Sequence, residues 1–224
     1  MTRLLFIVNF KNYPEISGEK SVKLAQVAES IAKHTKVKIA VAPPQASLAL
    51  VASQVGIPVF AQHLDDSNTG STTGFMVPEV AKSYGVSGSL INHSEHRVPS
   101  AKIRQLVKKL RNLRMVSVVC AKTPDEVKKL ASFKPDYIAI EPPELIGSGI
   151  AVSKAKPTVI TRSIKAANHV NAKVSIICGA GIVDASDVSA AIRLGSKGIL
   201  VASGIVKSRN WRKKIRELAN AMEV

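Results

Sequence analysis

The sequence has 224 residues, is 46% hydrophobic, and carries 32 Lys and Arg against 16 Asp and Glu, a formal charge of +16. The apolar content supports a cored fold and excludes a disordered chain, and no apolar run approaches the roughly 18 residues of a membrane span. The charge calls for an anionic substrate or partner, but 4% aromatic residues and cations scattered over the outer faces of expected helices leave no base-stacking surface for nucleic acid.

Leu4–Val8 is too short for a secretory signal. Cys120 and Cys178 lie far apart with no Cys-x-x-Cys spacing. The expectation is a cytoplasmic chain starting at Met1, with two free, core-facing thiols.

Arg3–Phe10 is a nearly continuous apolar run, the pattern of a strand buried on both faces, and it ends on Asn9-Phe10-Lys11. Gly18-Glu19 opens a helix with Val22, Ala25, Ala28 and Ile31-Ala32 as its apolar face. Val37–Ala42 is a second strand, Pro43-Pro44 opens a helix reaching Gln54, and Ile57–Ala61 is a third strand. Gln62–Phe75 is the longest loop, with little apolar matter before Phe75; loops of this length usually have a task. A short helix over Val77–Tyr84 precedes a fourth strand, Ser89–Asn92, which runs straight into His93-Ser94-Glu95.

Pro99 starts a helix with Ile103, Leu106, Val107, Leu110 and Leu113 on one side and Lys102, Lys108, Lys109 and Arg111 mostly on the other. Met115–Cys120 is strand five, and Thr123-Pro124-Asp125-Glu126 is a helix start with Thr as N-cap. Tyr137–Ile140 is strand six, and Glu141 follows at once. Pro142-Pro143 halts the ladder, because neither residue has an N–H to donate, and Gly147-Ser148-Gly149 adds flexible points. A carboxylate there suits a general base under a movable lid; it equally suits a surface Glu before a turn. Helix Pro157–His169, strand Lys173–Ile177, helix Asp184–Arg193, strand Gly198–Val201 and a helix capped by Asn210 complete the chain.

These are eight strand-then-helix units with no leftover element, which predicts a single domain, residues 1–224, folded as a (β/α)8 TIM barrel. The alternative is an open doubly wound sheet. Its dinucleotide version needs a third glycine where Asp184 stands, and no phosphate-cradling G-x-x-x-x-G-K-[ST] loop occurs.

In such a barrel all strand C-termini share one face, where the site forms. Strand one delivers Asn9 and Lys11, strand four His93, strand six Glu141, and strands seven and eight Gly179–Gly181 and Ala202–Gly204. A carboxylate can remove a proton next to a carbonyl, a histidine can hydrogen-bond the oxygen as charge develops, and a lysine can stabilise the anion. Glycine-rich ends offer N–H groups to a phosphate. No His, Cys and carboxylate cluster has metal-ligand spacing. The set supports a 1,2 proton shift on a small phosphorylated sugar.

Asn9-Phe10-Lys11, Ile91-Asn92-His93-Ser94-Glu95, Ala139-Ile140-Glu141-Pro142-Pro143 with Ile146-Gly147-Ser148-Gly149, Gly179-Ala180-Gly181-Ile182 and Val201-Ala202-Ser203-Gly204 occur in this order. Together they resemble the triosephosphate isomerase family, its short archaeal type in particular. The resemblance implies Glu141 as general base, His93 as electrophile, and Asn9 with Lys11 as substrate-binding pair. It implies a phosphate-binding backbone at Ile146, Gly147, Gly181, Ala202 and Ser203, and Glu95 as a carboxylate partner of Lys11. The implied reaction interconverts dihydroxyacetone phosphate and D-glyceraldehyde 3-phosphate, in glycolysis and gluconeogenesis, with no cofactor and no metal.

The chain departs from the long form of the family in three places. Asn92 stands for a Gly, Glu144-Leu145 for the Trp-Ala of the lid, and Ala202-Ser203 for a Gly pair. The long loop resembles the family's third loop, whose counterpart of Thr73 reaches a neighbouring subunit. At 28 residues per unit the barrel is trimmed below the ~250 residues usual for the fold. A homo-oligomer through Gln62–Phe75 is therefore expected, a tetramer or else a dimer, with no nucleic-acid or membrane partner. Another phosphate-binding barrel isomerase or lyase is the alternative enzyme; it would not need Lys11.

Overall fold

The computed structural model describes residues 4–145, 153 and 156–223. Its strands are β1 (Leu5–Asn9), β2 (Lys38–Ala42), β3 (Phe60–Ala61), β4 (Gly88–Ile91), β5 (Val116–Ala121), β6 (Tyr137–Ile140), β7 (Ser175–Cys178) and β8 (Gly198–Val201). The helices described are α1 (Glu19–Ala32), α2 (Leu48–Gln54), α3 (Pro78–Ser83), α4 (Ser100–Asn112), α5 (Pro124–Ala131), α6 (Pro157–Asn171), α7 (Ala185–Arg193), α8 (Ser203–Val206) and α9 (Trp211–Asn220). The sheet runs β2-β1-β8-β7-β6-β5-β4-β3, with parallel pairing throughout. A parallel bridge between Val41 and Val59 joins β2 to the residue before β3, so the sheet closes as a TIM barrel.

Alternation along each strand explains why the strands read as unbroken apolar runs. Leu5 and Ile7 of β1 belong to an inner cluster with Phe60, Leu90, Val118 and Leu200. Phe6 and Val8 belong to the outer cluster beneath the helices. Each strand is therefore apolar on both faces. The barrel is narrow at its floor: a Cβ on Gly198 would lie 2.0 Å from the Leu5 carbonyl oxygen, and one on Gly88 2.6 Å from that of Val116. The same alternation continues past the strand ends. It carries Asn9 after Leu5 and Ile7, and Glu141 after Tyr137 and Ala139, toward the barrel axis.

Several expectations change in detail. The buried face of α1 is Ser21, Leu24, Ala25, Ala28 and Ile31, with Val22 and Ala32 only half-buried. Leu24 fits the i, i+4 row to Ala28, whereas Val22 sits two positions round the helix. Strand three is short, because only Phe60 and Ala61 pair with β4. Among the described residues the eight units leave elements over: α8, four residues between β8 and the C-terminal helix, and short 3-10 turns at Pro14–Ile16, Gln45–Ser47 and Pro143–Leu145. The caps are as read. Thr123 Oγ1 accepts from the Glu126 N–H, and Asn210 Oδ1 from that of Lys213. Asp184 and Asp187 form a reciprocal capping box ahead of α7.

The long loop is fastened rather than loose. Leu64 within it is fully buried, and Asp65 exchanges hydrogen bonds with Met76, 2.9 Å to its carbonyl and 2.7 Å from its N–H. Lys109 does not join the solvated face of α4. Its ammonium donates to the Ser67 carbonyl and to Asn68 Oδ1, and stands 3.1 Å from Glu79 of α3. Among the described residues no helix is long and apolar enough to cross a membrane.

Candidate active site

The cleft at the C-terminal ends of the strands is lined by Asn9, Lys11, His93, Glu141, Gly181, Ala202 and Ser203. Seven of the residues expected from the sequence therefore share one cavity. Glu95 borders an adjoining cleft with Lys11 and His93. Ile146 and Gly147 lie outside the described residues.

Glu141 is held by its backbone. Its N–H donates to the Ala121 carbonyl at 2.8 Å, extending the β5–β6 ladder one residue past the strand. Its side chain is 2% exposed. Burial raises the carboxyl from 4.5 to about 7, against the opposing pull of a hydrogen bond from the Cys120 thiol and the charges of Arg97 and Lys11. That range suits a group that must exchange a proton near neutrality.

His93 follows β4 and Asn92, a non-glycine residue at φ +61°. Asn tolerates this left-handed backbone and Gly has no penalty there, which explains the Asn in place of the family's Gly. The Asn92 side chain also earns its position by donating to the Cys120 carbonyl and accepting from the Val98 N–H. The turn directs His93 Nδ1 to accept from the Glu95 N–H at 3.2 Å. An accepting Nδ1 leaves the proton on Nε2, which faces Glu141 Oε1 at 3.7 Å. Burial is the main cause that lowers His93 from 6.5 to about 4, so its ring is neutral at pH 7.

Lys11 sits at φ +50°, a strained value for a side-chain-bearing residue. Asn9 Oδ1 accepts from its N–H at 3.0 Å, and Gln62 Nε2 donates to its carbonyl at 3.0 Å. Its ammonium meets Glu95 Oε1 at 2.5 Å. On the opposite wall Gly181 takes φ +71°, a conformation that favours glycine, and Ala202 and Ser203 bring their backbone to the cleft.

The profile of the triosephosphate isomerase family matches residues 4–220. The chain belongs to the triosephosphate isomerase family. Among relatives carrying that name, one from Cenarchaeum symbiosum is 50% identical over 97% of each chain. One from Methanothermus fervidus is 44% identical over 99% of this chain and 100% of its own. One from Methanocaldococcus jannaschii is 43% identical over 96% of this chain and 98% of its own.

Gly179 lines this triosephosphate isomerase cleft at the strand end where the sequence placed it. Tyr13, not read from the sequence as part of the site, lines it too, with the Lys207 ammonium 4.8 Å over its ring. Cys120 is fully buried, as expected, but it faces the barrel interior beside Glu141, and burial pushes its thiol well up. Cys178 is likewise buried, its thiol raised by burial to about 12. Glu144, where the chain departs from the family's lid, is exposed and pairs with Lys156. Among the described residues no group of three or more His, Cys, Asp and Glu could hold a metal ion.

Proposed function

We propose that the chain interconverts dihydroxyacetone phosphate and D-glyceraldehyde 3-phosphate without a cofactor, one proton moving through an enediolate. The Glu141 carboxylate takes a proton from the hydroxymethyl carbon, and the C–H electron pair becomes the C=C bond while the carbonyl π pair moves to oxygen. Neutral His93 donates its Nε2–H to that oxygen, and the Lys11 ammonium stabilises the charge. Glu141 then returns the proton to the neighbouring carbon, where the C=C pair forms the new C–H bond. The hydroxyl proton of the first carbon passes by way of His93 to the second oxygen, and the released O–H pair closes the aldehyde C=O. Asn9 shapes the Lys11 turn, and N–H groups at Gly181, Ala202 and Ser203 hold the phosphate, joined on family grounds by Ile146 and Gly147. The residues after Glu141 act as the lid that excludes water.

The observation that carries this reading is the convergence of a buried carboxyl near pH 7, a neutral imidazole 3.7 Å away and a lysine in one cleft of a family member. Its test is a coupled assay of both directions with wild type and Glu141→Ala. Wild-type activity that survives the substitution removes Glu141 from the mechanism, and an inactive wild type removes the reaction. No observation favours another phosphate-binding isomerase or lyase.

The same reading takes residues 1–224 as one catalytic domain working in the cytoplasm as a homotetramer, or as a dimer at least. Support comes from Phe75, Val80 and Tyr84, which are 53%, 46% and 60% exposed along the long loop and α3, where Thr73 is exposed too. Light scattering at micromolar concentration decides the assembly, since a mass near 23.9 kDa means a monomer. Recovery in the membrane pellet after cell fractionation would contradict the compartment.

A further inference from the structure

We propose that Gly179 is a positioning residue: the space left by its missing side chain selects the rotamer that carries the Glu141 carboxyl to His93. The register of β6 and β7 sets Ile140 opposite Cys178. The Gly179 N–H continues that ladder by donating to the Ile140 carbonyl at 3.0 Å, so Gly179 and Glu141 are inward-facing neighbours just above the paired strands. A Cβ built on Gly179 would lie 2.6 Å from Glu141 Cγ, 3.0 Å from Oε1 and 3.2 Å from Cδ. Carbon atoms pack at about 3.5–4.0 Å. Cγ is the second carbon of the side chain and cannot yield without a change of rotamer.

Two further facts tie the glycine to Glu141 rather than to its own backbone. Gly179 is absent from the positive-φ glycines, whereas Gly181 takes φ +71°. Its conformation is therefore open to any residue, and what keeps a side chain out is the neighbour. Glu141 is also 2% exposed, with His93 on one side and Cys120 near it, so a displaced carboxyl has only the cleft it lines to turn into. A methyl group at 179 must push the carboxyl out of its place beside His93.

The activity part of this inference rests on the isomerase reading; the packing part does not, and the experiment separates them. Gly179→Ala is made in the wild-type and Glu141→Ala backgrounds, and all four proteins are melted and assayed with dihydroxyacetone phosphate. The expected result is a kcat about 10²-fold lower, the usual effect of a misplacement near 1 Å, with KM changed by less than about threefold. The acid limb of kcat/KM moves to lower pH as the displaced carboxyl meets water. Gly179→Ala lowers the melting temperature in the wild-type background and leaves it unchanged in Glu141→Ala, where the obstructing Cγ is gone. If Gly179→Ala fails to fold alone, the double variant recovers folding. Full kcat in Gly179→Ala, or equal destabilisation in both backgrounds, overturns the proposal. An inactive wild type removes the isomerase reading and leaves the melting cycle to decide the packing.

Discussion

His93 Nε2 stands 3.7 Å from Glu141 Oε1 at the inner rim of the barrel, and burial drives the two groups in opposite directions. The carboxyl rises to about 7 and the imidazole falls to about 4. Between those values the pair rests as a neutral acid beside a neutral base, because a dry site disfavours the ion pair.

Stability should report that arrangement through two opposing slopes. The folded-state value of Glu141 is raised, so its contribution is complete below 4.5 and lost as pH climbs through about 7. That of His93 is lowered, so its contribution is complete above 6.5 and lost as pH falls through about 4. Each is worth up to roughly 3 kcal/mol, and they offset each other in the shared window. In urea titrations across pH 4.5–6.5, Glu141→Gln should gain stability with rising pH and His93→Gln should lose it. Identical pH dependence in both variants and wild type contradicts the assignment.

Catalysis should show one titration near neutrality. kcat/KM rises as the free enzyme passes about pH 7 and Glu141 loses its proton, while His93, already neutral, adds no limb there. Glu141→Ala should lower kcat by about 10²–10⁴-fold, the usual contribution of a general base. Stopped assays from pH 5.5 to 9 read both.

Asn92 gives a test of backbone strain. At φ +61° a Cβ is penalised, and the Asn side chain offsets this with its bonds to Cys120 and Val98. Asn92→Ala should therefore destabilise by about 1–2 kcal/mol more than Asn92→Gly, as denaturant unfolding can measure. Equal losses mean that the hydrogen bonds alone account for the residue.

Lys109 should govern the long loop. Removing its ammonium leaves the Ser67 carbonyl and Glu79 without that partner. Lys109→Met is expected to cost about 1–3 kcal/mol and to speed proteolysis within residues 62–75. An unchanged cleavage rate would show that Leu64 and Asp65 suffice to hold the loop.

The net charge of +16 should steer an anionic substrate. Raising salt from 0.01 to 0.3 M shortens the screening length from about 30 Å to below 10 Å and should reduce kcat/KM. Constant kcat/KM across that range means that the charge plays no part in encounter.

Much of the site was open to reading because barrel topology turns order along the chain into place. Each strand end lands on one face, so Asn9, Lys11, His93 and Glu141 were found simply where their apolar runs stop. The contacts that tune them were not readable. Gly179 meets Glu141 through the β6–β7 register, Cys120 through the inward face of β5, and Gln62 holds Lys11 across 51 residues. Lys109 carried every sign of a solvated helix lysine until the loop it fastens was in place. Local sequence settles periodicity, caps and the residue type at each strand end, since those depend on neighbours a few positions away. Tertiary structure decided the neutral state of His93, the raised carboxyl of Glu141 and the need for Gly179, because desolvation and steric exclusion depend on which distant segments close around a group.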